Sequence, residues 1–394
     1  DTTIFTALTD LVSKIKSAFE QREFASLALC DLSKAFDCIS HEILLRKLEK
    51  YGLEGVALAT MKSYFTNRRQ VLSVHGAKSS PSTVLHGVPQ GSVLGPILFL
   101  VAINDMSLDQ KVLLFADDTT IFTADRSLER ALSDTDELIN RAKEWFTCNK
   151  LQLNEDKTQR MICSLNPVEK NQADSVKLLG FTLDPKLSWN RHIAATCTKL
   201  ARVVYLLRRL VHLVSEPYLI IAYHSLFHSH LSYGLLLWGH SPGCLDAFKL
   251  QKRAVRVITG SKGLDHCRPL FKRLGVLTIY SQFIHDCVVY VKYHLPEFET
   301  RGQHHLYATR HSADVEIPFS RLSLIRDSFP SIAIRLYNAL PANVKNLEGK
   351  RFKLVVKQWL QTKPFYSLCE FFCETFVDLF EFTGRFLLFK KSFN

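Results

Sequence analysis

Three carboxylates raise the first chemical question. Asp31 closes the apolar run "FASLALCDL", and Asp117 and Asp118 stand side by side inside "LLFADDTTIF". An unpaired charge in apolar surroundings is costly, and carboxylates held close oppose one another's ionisation. A divalent cation relieves both problems. Magnesium takes a few carboxylate oxygens and leaves room for water and phosphates. Two such ions can activate an attacking hydroxyl and stabilise a departing pyrophosphate. Adjacent aspartates are also ordinary turn formers, and a lone strand-end aspartate is often a helix cap. The order of the segments favours chemistry. A strand-end aspartate comes first, the Gly/Pro loop of "GVPQGSVLGPILFL" follows, and the apolar-flanked pair comes third.

These residues need elements to hold them. Ile4, Leu8, Leu11, Val12 and Ile15 share one face of a helix over residues 4–19. "FASLALCDL" reads as a strand, and "HEILLRKLEKYG" as a helix stopped by Gly52. "KVLLFADDTTIFTA" reads as two strands joined at the aspartates. A helix capped by Ser127 follows, with Leu128, Leu132, Leu138, Ile139, Ala142, Trp145 and Phe146 facing inward. "LQLNEDKTQRMICSL" gives a turn and a strand, and "VKLLGFTLDPKLSW" a short hairpin. This irregular mixture predicts an α+β layer, with helices packed on an antiparallel sheet. Beyond about residue 188 helical patterns dominate. One stripe runs through Ile193, Cys197, Leu200, Val204, Leu207 and Val211, and a second helix is expected over 216–236. Boundaries are expected near 185 and near 260, where "TGSKGLDHCRPL" is loop-like.

Composition bounds the partners. The 394 residues exceed one typical domain, and a hydrophobic fraction of 47% describes a globular chain. A net charge of +12 favours polyanionic partners. Ten cysteines without a CxxC pair read as reduced thiols in an intracellular protein. His266–Cys267 and His285/Cys287 fit no standard zinc spacing. No run of eighteen uncharged apolar residues predicts a membrane span. The C-terminal "FYSLCEFFCETFVDLFEFTGRFLLFKKSF" reads as an amphipathic helix or packing tail.

"LCDLSKAFDCISHEILLRKLEKYG", "HGVPQGSVLGPILFLVAIND" and "LLFADDTTIF" resemble, in order, the palm motifs of reverse transcriptases of non-LTR, Jockey-like retrotransposons. "LQLNEDKTQ" resembles the palm motif that follows, and "VKLLGFTLDPKLSW" the primer grip. "AYHSLFHSHLSYGLLLWG", "LQKRAVRVITG" and "FPSIAIRLYNALP" resemble the region downstream of the polymerase in such elements. The resemblance implies a right-hand palm over 1–185 with the fingers largely missing, a thumb-like helical domain over 186–260 and a mostly helical C-terminal region over 261–394. The implied activity is RNA-directed DNA polymerisation, extending a DNA primer on an RNA template from deoxynucleoside triphosphates. Two Mg²⁺ ions, with Mn²⁺ as substitute, are the implied cofactor.

Asp31 and Asp117 match the metal-binding carboxylates, with Asp118 as third member. Phe36 matches the aromatic gate that screens the nucleotide sugar, and is equally a plain core residue. Gln90 and Gly91 match the loop against nucleotide and template. Lys157 matches the lysine associated with pyrophosphate departure, and is equally a solvated surface lysine. In "KLQKRAVR", Lys249, Lys252, Arg253 and Arg256 form one basic helical face able to track phosphates, as could Lys199, Arg202 and Arg209. A solvated face is the other meaning of such charges. The chain opens at Asp1 within a helical pattern, which suggests a fragment with fingers and endonuclease upstream. The alternative function is a truncated remnant that binds nucleic acid without catalysis. An intron-encoded maturase or telomerase-like polymerase is a third possibility that the segments after residue 215 argue against. Nucleus and cytoplasm both suit the expected activity, and no membrane partner is expected.

Overall fold

The computed structural model describes residues 4–106, 111–166, 168, 173–304 and 312–373. It divides into two compact units, Asp1–Leu187 and Ser188–Asn394. The tail expected from Phe365 onward is described only to Cys373, where it forms a short helix, Leu368–Cys373; the rest lies outside the described residues.

The first unit opens with helix α1 (Ile4–Glu20) and strand β1 (Phe24–Leu32). Helices α2 (His41–Lys50) and α3 (Gly55–Phe65) follow. Four two-residue strands come next: β2 (Arg69–Gln70), β3 (Ser73–Val74), β4 (Ala77–Lys78) and β5 (Ser82–Thr83). The remaining elements are α4 (Leu94–Ile103), β6 (Val112–Phe115), β7 (Asp118–Asp125), α5 (Leu128–Cys148), β8 (Leu153–Cys163), β9 (Val176–Leu178) and β10 (Phe181–Leu183). The main sheet has the order β6-β7-β1-β8 and is antiparallel throughout.

Alternation assigns the two faces of β1. Ser26, Ala28, Cys30 and Leu32 are buried, and Ser26 faces α5, because Thr135 Oγ1 donates to Ser26 Oγ at 2.8 Å. Thr123 of β7 joins the same network, 2.7 Å from Thr135. Three hydroxyls thus satisfy one another under a helix whose other inner residues, Leu138, Ile139, Ala142 and Phe146, are apolar. The expected inner face of α5 is therefore modified. Ala131 and Thr135 are buried, whereas Leu128, Leu132 and Trp145 are half-buried. Ser127 occupies the cap position but makes no side-chain cap bond. Instead Asp125 Oδ1 accepts from its backbone N–H.

Lys47 ties three helices together. It is 9% exposed on the inner side of α2. Its ammonium donates to Ala102 O and to Asp105 Oδ1, both at 2.6 Å, and lies 4.8 Å over the Trp145 ring. A cation at the last carbonyls of α4 also complements the negative helix end. Lys47→Ala is expected to destabilise the protein by about 2 kcal/mol, as for charged hydrogen bonds whose acid partner keeps solvent access. Urea unfolding monitored by circular dichroism measures that change.

The second unit is helical. It comprises α6 (Asn190–Leu210), α7 (Glu216–Ala222), a π-helical turn over Tyr223–His228, α8 (Ser229–Ser232), α9 (Leu235–Trp238), α10 (Cys244–Thr259), α11 (Arg268–Leu274) and α12 (Ile279–Tyr293). Further helices include Ser331–Asn338 and Gly349–Thr362, both packed against α12. The single helix expected over 216–236 forms as one continuous run of α7, the π-turn and α8 to Ser232, and ends at a break at Tyr233–Gly234. Gln251 of α10 is fully buried and saturated. It donates to Tyr223 Oη and Leu277 O at 2.9 Å, and accepts from Ile279 N at 2.8 Å. Among the described residues no single helix is long and apolar enough to cross a membrane.

Candidate active site

The candidate site grows from the middle of the sheet. β1 pairs with β7 down to Cys30↔Thr119. One further step in that register sets Asp31 opposite Asp118, a spacing at which side chains on one face meet. Asp117 sits between β6 and β7 in a two-residue turn with Ala116. Ala116 has φ of 50°, a left-handed conformation that costs an alanine strain. Two-residue hairpin turns demand such angles, so the turn that presents Asp117 is short and fixed at both ends by paired strands.

Lys157 arrives by a bulge. β8 pairs with β1 at Leu29↔Gln159, but the next pair is Asp31↔Asn154. Residues 155–158 therefore leave the ladder, and Thr158 Oγ1 closes the bulge on Asn154 O at 2.9 Å. Bulges re-aim side chains. Here the result is Lys157 Nζ 3.3 Å from Asp31 Oδ2. That oxygen is itself buried and accepts no hydrogen bond of good geometry. Lys157 is largely exposed, so the ion pair is screened and worth little to stability.

A cavity of about 330 Å³ opens here, bordered by Asp31, Asp118, Asp156, Lys157, Gln159 and, from β9, Lys177. Sequence reading did not single out Asp156, Gln159 or Lys177. The bulge spacing that brings in two of them is invisible without the partner strand. Burial first, then the charges of Asp117 and Asp31, hold the Asp118 carboxyl above its usual range. Burial pushes the neighbouring Cys30 thiol up to about 11, which keeps it uncharged beside the acids.

The carboxylates fit a divalent cation by their chemistry. One buried oxygen lacks a hydrogen bond, and one carboxyl has its ionisation opposed by its two neighbours. As they stand, no three His, Cys, Asp or Glu side chains among the described residues converge on a single coordination point. The raised Asp118 carboxyl has a consequence for stability. Its contribution is fully present below the unfolded carboxylate pKa and is lost as pH rises through the folded one. Asp118→Asn is therefore expected to raise the melting temperature at pH 7 in EDTA. The gain should shrink as pH falls below the carboxylate range, and shrink again when Mg²⁺ stabilises the parent protein. Thermal melts at two pH values, with and without Mg²⁺, check all three.

The predicted loop residues do not border the cavity at the aspartates. Phe36 and Gln90 each meet a sequence-distant partner, and Gln90 borders a separate hollow with Asp37. Phe36 lies in a 3₁₀ turn, Ala35–Asp37, and stacks on Phe99 of α4 with centroids 4.3 Å apart. It is half-buried, so core packing and an exposed edge coexist. Gln90 Nε2 donates to Asp37 Oδ1 at 2.9 Å, a partner that sequence reading missed. Gly91 follows with φ of 79°. In the second unit, α10 carries the predicted basic face with most cations engaged. Lys249 pairs with Asp246 at 2.8 Å, and Lys252 lies 4.7 Å over the Phe248 ring. Arg256 donates twice to Asp265 O, at 3.0 and 2.8 Å. Arg253 is exposed.

Residues 3–183 match a family model described as reverse transcriptase (RNA-dependent DNA polymerase). The chain is 31% identical over 287 residues to the RNA-directed DNA polymerase from mobile element jockey of Drosophila melanogaster, covering 66% of this chain and 31% of that protein. The probable RNA-directed DNA polymerase from transposon X-element of the same organism is 28% identical over 297 residues, covering 69% and 32%. The chain thus spans about a third of the length of these curated relatives. Among solved structures, apo telomerase from Candida tropicalis aligns with 68% of this chain and 48% of its own, at 12% identity and a TM-score of 0.38.

Proposed function

Residues 3–183 belong to the reverse transcriptase (RNA-dependent DNA polymerase) family, and from that premise we propose that this chain carries the polymerising centre of a non-LTR retrotransposon enzyme. Its reaction is extension of a DNA primer along an RNA template from deoxynucleoside triphosphates. The observation that carries this reading is the register that sets Asp31 against Asp118, with Asp117 at the adjoining turn. Asp31, Asp117 and Asp118 would hold Mg²⁺, or Mn²⁺ in its place. When bound, the metal supplies activation of the primer 3′-hydroxyl and stabilisation of the departing pyrophosphate.

The chain's own residues do the rest. Lys157, held beside Asp31, places a cation where phosphate charge accumulates. The Phe36–Phe99 stack makes a stiff apolar wall against a nucleotide sugar. Asp37 fixes the Gln90 amide, so the loop presents a preset edge to nucleotide and template. We assign residues 1–185 to the palm, 186–260 to a thumb-like domain and 261–394 to a C-terminal region. The nucleic-acid contacts of Lys249, Lys252, Arg253 and Arg256 belong to that thumb-like domain, with Arg253 the readiest for a phosphate. An intracellular setting, nuclear or cytoplasmic, suits this activity.

A second reading, nucleic-acid binding without polymerisation, draws on the three aspartates, whose side chains do not converge as they stand. The test is Mg²⁺-dependent extension of oligo(dT) on poly(rA), with a binding measurement in parallel. Extension that depends on Asp117 supports polymerisation, and binding without extension supports the second reading.

A further inference from the structure

Residues 86–90 run beside residues 36–40. Ser40 and His86 form an isolated antiparallel bridge. Gly87 N donates to Ile39 O and Val88 N to Phe36 O, both at 2.8 Å. Gly87 leaves no slack between the two strips, since a Cβ on it would lie 2.8 Å from Asp37 Cα and O. A shift of Gly87 is therefore passed directly to the segment that bears Phe36 and Asp37.

A side chain just past the first strip fastens Gly87. His41, the first residue of α2, brings Nε2 to 2.7 Å from Gly87 O. A carbonyl can only accept, so Nε2 carries the proton. The donating ring is itself held. It is half-buried and stacks on Phe65, the last residue of α3, with centroids 4.4 Å apart. Phe65 is the one buried residue of that helix, so the stack anchors His41 from the far side of the bond. Sequence reading gave His41 no role beyond opening a helix. Packing alone would need its ring and not its N–H, and the two can be separated.

We propose that His41 is a positioning residue that sets how strictly the site separates deoxyribonucleoside from ribonucleoside triphosphates. Its N–H holds the Gly87 carbonyl, and Gly87 holds its strip against residues 36–40. That seating fixes Phe36, through Val88, relative to the Gln90 amide that Asp37 holds. Without the donor the strip keeps its main-chain bonds but is free to tilt. A wall that yields rejects one added hydroxyl less strictly, because discrimination of this kind depends on exact placement. The proposal rests on the reading that Phe36 and Gln90 face the incoming nucleotide.

Two variants divide the ring from the donor. His41→Phe keeps a ring to stack on Phe65 and removes the N–H. His41→Gln keeps an N–H of similar reach and removes the ring. The full chain is given poly(rU) with an oligo(dA) primer and either dATP or ATP. In His41→Phe the ratio of kcat/KM for dATP to that for ATP is expected to fall by about threefold to tenfold, the worth of one neutral hydrogen bond. His41→Gln should stay within about twofold of the parent ratio. A merely structural role would lower kcat/KM for both nucleotides alike and leave the ratio where it was. Hydrogen exchange at the Gly87 and Val88 amides, followed without nucleotide, should quicken in His41→Phe and not in His41→Gln. Thermal melting verifies folding, and His41→Leu serves as the donor-free variant if His41→Phe melts early. An unchanged ratio in a folded donor-free variant overturns the proposal. So does a ratio lost equally in His41→Gln, or exchange that the loss of the donor leaves unaltered. A parent chain that never extends a primer overturns the polymerase reading and the sugar preference with it. A parent that extends, beside a donor-free variant of unchanged ratio, overturns the proposal alone.

Discussion

Asp117→Asn is expected to reduce primer extension by about three orders of magnitude or more while leaving the protein folded. The rate loss follows from the charge that a bound metal needs. Replacing a carboxylate ligand by a neutral amide removes several kcal/mol of transition-state charge stabilisation, and each 1.4 kcal/mol is a factor of ten. The fold should survive because Asp117 occupies a turn position, where asparagine is equally at home. Asp31→Asn should lose activity to the same degree, and it also releases Lys157 from its carboxylate. Extension rates and thermal melts of both variants, measured with the parent protein, make the check. Unchanged extension by folded Asp117→Asn would falsify the assignment of the metal site.

The second large effect is expected at a glycine. Gly87 is buried with φ of 86°, and a Cβ there would lie 2.8 Å from both Cα and O of Asp37. The crowding involves backbone, so no side chain can turn aside to relieve it. Around Gly87 the chain is stitched to the segment that carries Phe36. Its N–H donates to Ile39 O at 2.8 Å, and its carbonyl accepts from His41 Nε2 at 2.7 Å. Val88 N donates to Phe36 O at 2.8 Å. Gly87→Ala must part these two strips, and with them the Asp37–Gln90 contact. Left-handed strain and overpacking together should cost about 2–4 kcal/mol, a large share of an ordinary protein's stability. Extension should fall even well below the melting temperature, since the Gln90 loop is displaced. Urea unfolding gives the first quantity and single-turnover extension at low temperature the second.

What sequence reading recovers here is local in character. The hairpin that bears Asp117 and Asp118, the glycine that stops α2 and most of the stripe of α6 rest on short-range pattern, although Cys197 and Val211 of that stripe are only half-buried and Val211 lies past the helix end. Lys157 is different. Its approach to Asp31 depends on a bulge in β8, which exists only once β8 is paired with β1. Lys47 left a trace, since a lysine sits among the inward positions Leu44 and Leu48 of α2, but its partners lie more than 50 residues away. The expected helix over 216–236 forms without a break to Ser232, but with a deformation inside it. Leu219, Tyr223, Phe227, Leu231 and Leu235 are all buried and step strictly by four. A step of four outruns the 3.6-residue turn of an α-helix, and the wider π-turn at Tyr223–His228 takes up the drift. Apolar spacing indicated a helix and, read more finely, also indicated where it had to deform.

The order of strands in the sheet has a consequence for how the protein is made. β1 is central, yet both its partners, β7 and β8, come more than eighty residues later. On a ribosome adding 5–20 residues per second, β1 waits on the order of ten seconds before β8 is complete. Until then "FASLALC" is an apolar strand with both edges open, the kind of segment that joins other chains. Asp31, just behind it, is the one charge in that strand. The acid proposed to hold the metal in the folded chain is, during synthesis, also the one charge within that strand opposing such pairing.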